Sequence, residues 1–185
     1  MNTAEKERQK YEQMWDVPAY RKFSPGEKLV TEAIRELDIK SGDNLIDFGC
    51  GTGRPALAFQ KAGVHVTAVD HVVNCLDDDV LNRLNFIQAN LWQLPPNLIA
   101  DFGFCTDVME HIPTEHVHDV LSEIKRTTRR GAFFQIATFP DGMGRHIGET
   151  LHLTVRHPSW WEETLSKHWN AITIRGDRNC IAVVT

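Results

Sequence analysis

The chain has 185 residues, with 20 Lys and Arg against 25 Asp and Glu, for a formal net charge of −5. Its 42% hydrophobic and 24% charged content excludes a disordered chain, and the length is that of one domain able to bury its own core. The mild acidity argues against a nucleic-acid partner gripped through phosphates, which requires concentrated Lys and Arg.

Residues 3–15 carry polar helix formers with Tyr11, Met14 and Trp15 late in the run, the pattern of a short amphipathic helix. Ser24-Pro25-Gly26-Glu27 reads as an N-cap, a first-turn proline and an acidic third position. It predicts a helix over about 25–38, with Leu29, Val30, Ala33, Ile34 and Leu37 on its buried face. Strands and helices then alternate. Asn44–Phe48 is a strand, 54–62 a helix, Val64–Val69 a strand, 73–82 a helix, and Leu84–Ala89 and Asp101–Thr106 are strands. Glu115–Arg126 is helical, Gly131–Thr138 a strand and 158–168 a helix, and Ala171–Arg175 with Cys180–Val184 close the chain around Gly176-Asp177. This alternation predicts an α/β, doubly wound, mostly parallel seven-stranded Rossmann-like sheet with an antiparallel C-terminal strand.

No apolar run approaches the roughly 20 residues of a membrane span, and the charged N-terminus lacks a secretory apolar core. Cys50, Cys75, Cys105 and Cys180 are widely spread and read as reduced thiols of a cytoplasmic protein. Nothing in the sequence sets an oligomeric state.

Four elements fall at the carboxyl ends of successive predicted parallel strands, where a doubly wound sheet binds ligands. Asp47-Phe48-Gly49-Cys50-Gly51-Thr52-Gly53 follows the first strand, and its glycines let the backbone approach a ligand closely. Its register is G-x-G-x-G, and Arg54 fills the slot of the third dinucleotide-fold glycine, which argues against a nicotinamide-linked oxidoreductase. Asp70 ends the second strand, where a carboxylate accepts from both hydroxyls of a ribose. Asn90-Leu91-Trp92 follows the third, an amide for an adenine edge with apolar neighbours for its faces. Asp107-Val108-Met109-Glu110-His111 follows the fourth.

With these elements in register, the sequence resembles the class I S-adenosylmethionine-dependent methyltransferases. LIDFGCGTG is similar to their first motif, VTAVD to the second, NFIQANLWQLP to the adenine-contacting segment and DVMEHIP to the segment ending strand four. The resemblance runs from about residue 25 to 184 and implies S-adenosyl-L-methionine as cofactor. It further implies that Gly49, Cys50 and Gly51 contact the methionine part, that Asp47 holds the loop or reaches the amino group, and that Asp70 takes the ribose. His71 or Val72 then flanks the adenine, Asn90, Leu91 and Trp92 contact it, and Asp107 and Val108 line the sulfonium side. The N-terminal Tyr11, Trp15, Tyr20 and Arg21 are similar to an aromatic segment of small methyltransferases. They form either a lid, with Arg21 on the cofactor's carboxylate, or a packing helix. We therefore expect one domain over 1–185, with 1–24 as lid, 25–185 as cofactor-binding core and 139–158 shaping the acceptor site.

Methyl transfer needs a general base only where the nucleophile must lose a proton. His152 is the preferred candidate, with His157 and His111 behind it. No metal site is expected, since the histidines lack helical spacing and the cysteines do not cluster. In the family's DNA amino-methylases a D/N-P-P-[YF] segment holds the base, and here that place is Asp107-Val-Met-Glu110. The expected acceptor is thus a small polar molecule (a sugar, nucleotide, amine or metabolite) methylated on O or N. The alternatives are a non-catalytic cofactor-binding subunit and, behind it, a nucleic-acid or protein methyltransferase.

Overall fold

The computed structural model describes residues 3–185. The chain runs α1 (Thr3–Trp15), α2 (Pro18–Arg21), α3 (Val30–Leu37), β1 (Asn44–Phe48), α4 (Arg54–Lys61), β2 (His65–Asp70), β3 (Asn85–Gln88) and β4 (Ala100–Thr106). It continues through α5 (Val117–Thr127), β5 (Thr128–Ala137), α6 (Pro158–Ser166), β6 (Ile172–Arg175) and β7 (Asn179–Val184). The seven strands form one sheet in the order β3-β2-β1-β4-β5-β7-β6. β1 to β5 pair in parallel, while β7 runs antiparallel to both β5 and β6. This is the predicted α/β sheet.

Both faces of the sheet are covered, because successive strand residues point to opposite sides and both sets are apolar. Leu45, Phe104 and Phe133 pack on one face with Met14 of α1, Ala33 of α3 and Phe59 of α4. Their neighbours Ile46, Cys105 and Phe134 pack on the other face with Leu121 of α5 and Trp161 of α6.

The predicted helix over 73–82 is absent; one 3-10 turn, Val73–Cys75, is followed by further turns. Asp77, Asp78 and Asp79 repel one another and favour turn geometry over helix interior. Asp77 is instead drawn outward to Arg54 Nε at 2.8 Å and Arg21 at 3.4 Å. The predicted helix over 25–38 divides into a 3-10 segment, Pro25–Leu29, and α3. Ser24 makes no capping bond, and its Oγ lies 3.3 Å from the Thr52 hydroxyl that donates to it. β5 starts at Thr128, three residues before its expected beginning, and runs directly on from α5.

Candidate active site

The carboxyl ends of β1 to β5 open onto a crevice of two adjoining cavities, of about 340 and 80 Å³. Trp15, Tyr20, Gly49, Asp107 and His111 line both. The larger also takes Asp47, Cys50, Gly51 and His152, together with Phe139 and Met143 from the segment after β5. The smaller takes Tyr11, Asp70, His71, Asn90, Leu91, Trp92 and Val108. The strand-end elements thus converge on one place.

The glycine loop is held by β2. Both Gly49 N–H and Cys50 N–H donate to the Val69 carbonyl, at 2.8 and 3.0 Å. Gly49 has φ +68°, and a Cβ there would overlap the Val108 side chain, so only glycine brings the loop against the β4 segment. Asp70 accepts from Gly51 N–H at 3.1 Å and Val72 N–H at 3.2 Å, which fixes its carboxylate at the mouth of the smaller cavity. Asp47 lies beneath the loop at 2% exposure. Burial, aided by the Asp70 charge, pushes its carboxyl up to about 8.

Two buried polar atoms along the crevice, Asp47 Oδ2 and His71 Nε2, have no protein partner. Such atoms are costly unless a ligand or water satisfies them. They are spread over both cavities, so an elongated ligand with several polar groups fits them.

The β4 end carries a carboxyl pair. Glu110 is wholly buried, and burial with the neighbouring Asp107 charge raises it well above the usual carboxylate range. Glu110 keeps the proton and hydrogen-bonds Asp107, while its Oε1 accepts from Ala137 N–H at 3.0 Å. Asp107 adopts φ +52°, a left-handed conformation uncommon outside glycine, and Gln135 bonds its side chain. The Glu110 carbonyl accepts from Leu153 N–H at 2.8 Å and Thr154 N–H at 2.9 Å. That docks the 139–158 segment on the end of β4 and brings in His152.

His152 Nδ1 lies 2.6 Å from the Phe139 carbonyl. A carbonyl only accepts, so Nδ1 carries the hydrogen and the neutral ring leaves Nε2 as a proton acceptor. His111 meets His152 edge-on at 4.7 Å. Burial and His152 push the His111 imidazole down to about 3, so it stays neutral.

α1 and α2 close the crevice. The Tyr11 hydroxyl is 2.5 Å from His111 Nδ1, and Lys10, in a buried ion pair with Glu7, donates to the Thr150 carbonyl at 3.2 Å. On the opposite wall Asn74 Nδ2 donates to the Glu12 carbonyl at 2.8 Å. Arg21 donates to the carbonyls of Asn74 and Leu76 at 2.7 and 2.6 Å.

Two placements correct the sequence reading. Arg21 lines neither cavity, because its guanidinium is consumed by the 74–77 turn, to which it straps α2. His157 is exposed and caps α6, its Nδ1 accepting from Ser159 N–H at 3.3 Å, away from the crevice. The first two residues of the predicted lid lie outside the described residues. Gln135 was not among the expected site residues; its signal is a lone polar residue inside GAFFQIAT.

The strap makes a prediction. Arg21→Ala removes hydrogen bonds to the 74–77 turn worth about 1–2 kcal/mol in sum. Ligand dissociation should quicken about 5- to 30-fold, with faster amide exchange in α1 and residues 74–77. An unchanged off-rate would contradict the strap.

Comparisons with known proteins bear on the same residues. The family described as "Methyltransferase domain" matches residues 20–176. The mitochondrial ubiquinone biosynthesis O-methyltransferase of Schizosaccharomyces pombe is 31% identical over 113 residues, covering 54% of this chain and 40% of that protein. The curated relatives are matched over less than half of their own length, from 28% to 48%. A protein of Pyrococcus horikoshii OT3 has a similar fold, with a TM-score of 0.71 at 14% identity over 92% of both chains. So does the magnesium protoporphyrin IX methyltransferase of Synechocystis PCC 6803, solved with bound S-adenosylmethionine. Its TM-score is 0.62 at 20% identity, over 100% of this chain and 85% of that one. With the family match spanning most of the sequence, this chain belongs to the methyltransferase-domain family, within the class I S-adenosylmethionine-dependent methyltransferases.

Proposed function

We propose that this protein transfers a methyl group from S-adenosyl-L-methionine to a hydroxyl of a small, uncharged or cationic acceptor. The feature that carries the choice of a hydroxyl is His152, which lines the larger cavity with Nδ1 on the Phe139 carbonyl and so leaves Nε2 of a neutral ring to take a proton. An amine acceptor that arrives neutral needs no such base. The cofactor, when bound, supplies a methyl group on a sulfonium whose thioether is a good leaving group.

The crevice fits that cofactor through its unpartnered atoms. Asp47 would take the amino group, Asp70 the ribose hydroxyls, and Asn90 the adenine edge, with Leu91 beside the ring. Asp107 lies between the two cavities, on the sulfonium side. The lid residues Trp15 and Tyr20 cover the junction, and Tyr11 on His111 seals its far end. Excluding water here keeps the reacting groups aligned, and positioning of this kind supplies roughly 7–11 kcal/mol in well-oriented reactions.

Among the residues lining the larger cavity there is no Lys or Arg, while Trp15, Tyr20, Phe23 and Phe139 give it aromatic walls. A phosphate or carboxylate acceptor would therefore enter without a counter-charge. This narrows the expected acceptor classes to sugars, neutral metabolites and amines, and disfavours nucleotides. No helix of the described residues is long and apolar enough to cross a membrane, and all four cysteines are free. Both are in keeping with work in a reducing cytoplasm.

The test is a by-product assay. The protein with S-adenosylmethionine is screened against a metabolite library, and S-adenosylhomocysteine is measured. Product with neutral hydroxyl compounds supports the proposal; product only with amines, or with anionic acceptors, contradicts it.

A further inference from the structure

Behind the glycine loop two thiols meet a carboxylate, and methyl transfer uses neither thiol. Cys50 stands between β1 and α4, Cys75 closes the 3-10 turn after β2, and Asp70 ends β2. Cys50 Sγ, Cys75 Sγ and an Asp70 oxygen all lie within 4.8 Å of one another. Exposures are 4%, 0% and 6%. The thiols hydrogen-bond each other, and Cys75 Sγ donates to the Val72 carbonyl at 2.9 Å. The Gly51 and Val72 N–H groups pin Asp70 in place. Cys50 lines the larger cavity and Asp70 the smaller, so the group is reached from the crevice.

Two thiolates and a carboxylate are three ligands of a tetrahedral zinc-type site, with the fourth position free for water. Soft sulfur selects such d10 cations over magnesium or calcium, which choose oxygen. A second group, Glu110, His111 and His152, also gathers ligand-type atoms within 4.8 Å. Its members are engaged in the acceptor site, with His111 Nδ1 on Tyr11 and Leu151 and Glu110 on Asp107 and Ala137. The thiols bond each other and the carbonyls of Gly51 and Val72, and none of these bonds reaches the 139–158 segment.

We propose that Cys50, Asp70 and Cys75 form an inhibitory site for a thiophilic divalent cation such as zinc, whose binding excludes the cofactor from Asp70. The exclusion rests on the reading of Asp70 as the ribose ligand; the site itself does not. One cation joins two thiols and one carboxylate, and two protons leave to solvent, with no oxidant required. The hydrogen bond with Cys75 and burial push the Cys50 thiol well up, so both protons are present to be displaced. The same neutrality slows disulfide formation, which needs a thiolate.

The experiment titrates the reduced, cofactor-free protein with cadmium, following thiolate-to-metal absorption, and with zinc by competition. One cadmium equivalent should produce the signal of two thiolates, retained in Cys180→Ala and lost in Cys75→Ala, a residue lining neither cavity. Zinc affinity should tighten about 100-fold per pH unit below the thiol range, as release of two protons requires. No thiolate signal, or an equal one in Cys75→Ala, overturns the site. So does a pair of thiols already lost to a disulfide before cation is added. Saturating S-adenosylhomocysteine should raise the apparent zinc Kd at least tenfold. Zinc binding that ignores it overturns the exclusion. Failure of S-adenosylhomocysteine to bind the zinc-free protein would instead overturn the cofactor reading, leaving the cadmium result to decide the site.

Discussion

Replacing His152 by alanine is expected to lower kcat about 10²- to 10⁴-fold, the usual contribution of a positioned general base. Affinity for S-adenosylhomocysteine should stay unchanged. His152 is held by its Nδ1–H on the Phe139 carbonyl and by the docking of Leu153 and Thr154 on the Glu110 carbonyl. Neither anchor belongs to the glycine loop or to the ends of β2 and β3, so the cofactor's ribose and adenine contacts survive the change. Added imidazole should restore part of the rate, which a merely structural role would not allow. Undiminished turnover with the acceptor found in the by-product assay would remove His152 as base.

Asp47→Asn should have the next largest effect, and its sign depends on the ligand. The Asp47 carboxyl is raised from an ordinary 3.8 to about 8 in the fold. A group raised in the folded state contributes stability that is full below the unfolded value and is lost as pH rises through the folded one. Ligand-free protein should therefore weaken between about pH 4 and pH 8. The gap between 3.8 and about 8 corresponds to roughly 6 kcal/mol at its largest. Asp47→Asn removes this loss, so the variant should show a higher Tm than the parent at pH 8.5, with the difference shrinking towards pH 4. With cofactor the order reverses, because the cationic amino group draws the proton off Asp47 and then pairs with the carboxylate. The parent should release protons on binding near pH 7, measured by calorimetry in buffers of different ionisation heat. The Asn variant should release fewer and bind more weakly. A Tm difference that does not change with pH would contradict the assignment.

The site was legible from the sequence because the chemistry sits at fixed places in the fold. Gly49, Asp70, Asn90 and Asp107 each directly follow or end an apolar run, and parallel order brings such positions together whatever the exact helix boundaries. Roles that depend on reach were not legible. Arg21 has a long fork that satisfies any nearby acceptor, and the carbonyls of the 74–77 turn were closer than the crevice. His157 before Pro158 reads equally as a base or as an N-cap, and only the direction of the chain after residue 154 decides between them. The 73–82 helix failed because its apolar spacing says nothing of three successive like charges, or of Asp77 finding Arg54 and Arg21. The carboxyl pair of Asp107 and Glu110 was visible as spacing, but the raised Glu110 carboxyl follows from burial, which no pattern of residues states.

The central claim, that the crevice holds S-adenosylmethionine with its ribose on Asp70, is tested most directly by calorimetric titration of S-adenosylhomocysteine into the parent and into Asp70→Ala. We predict one site per chain in the parent and at least a tenfold weaker one in the variant, with NADH giving no comparable heat. Equal affinity in the two proteins, no binding in either, or tighter binding of NADH would contradict it.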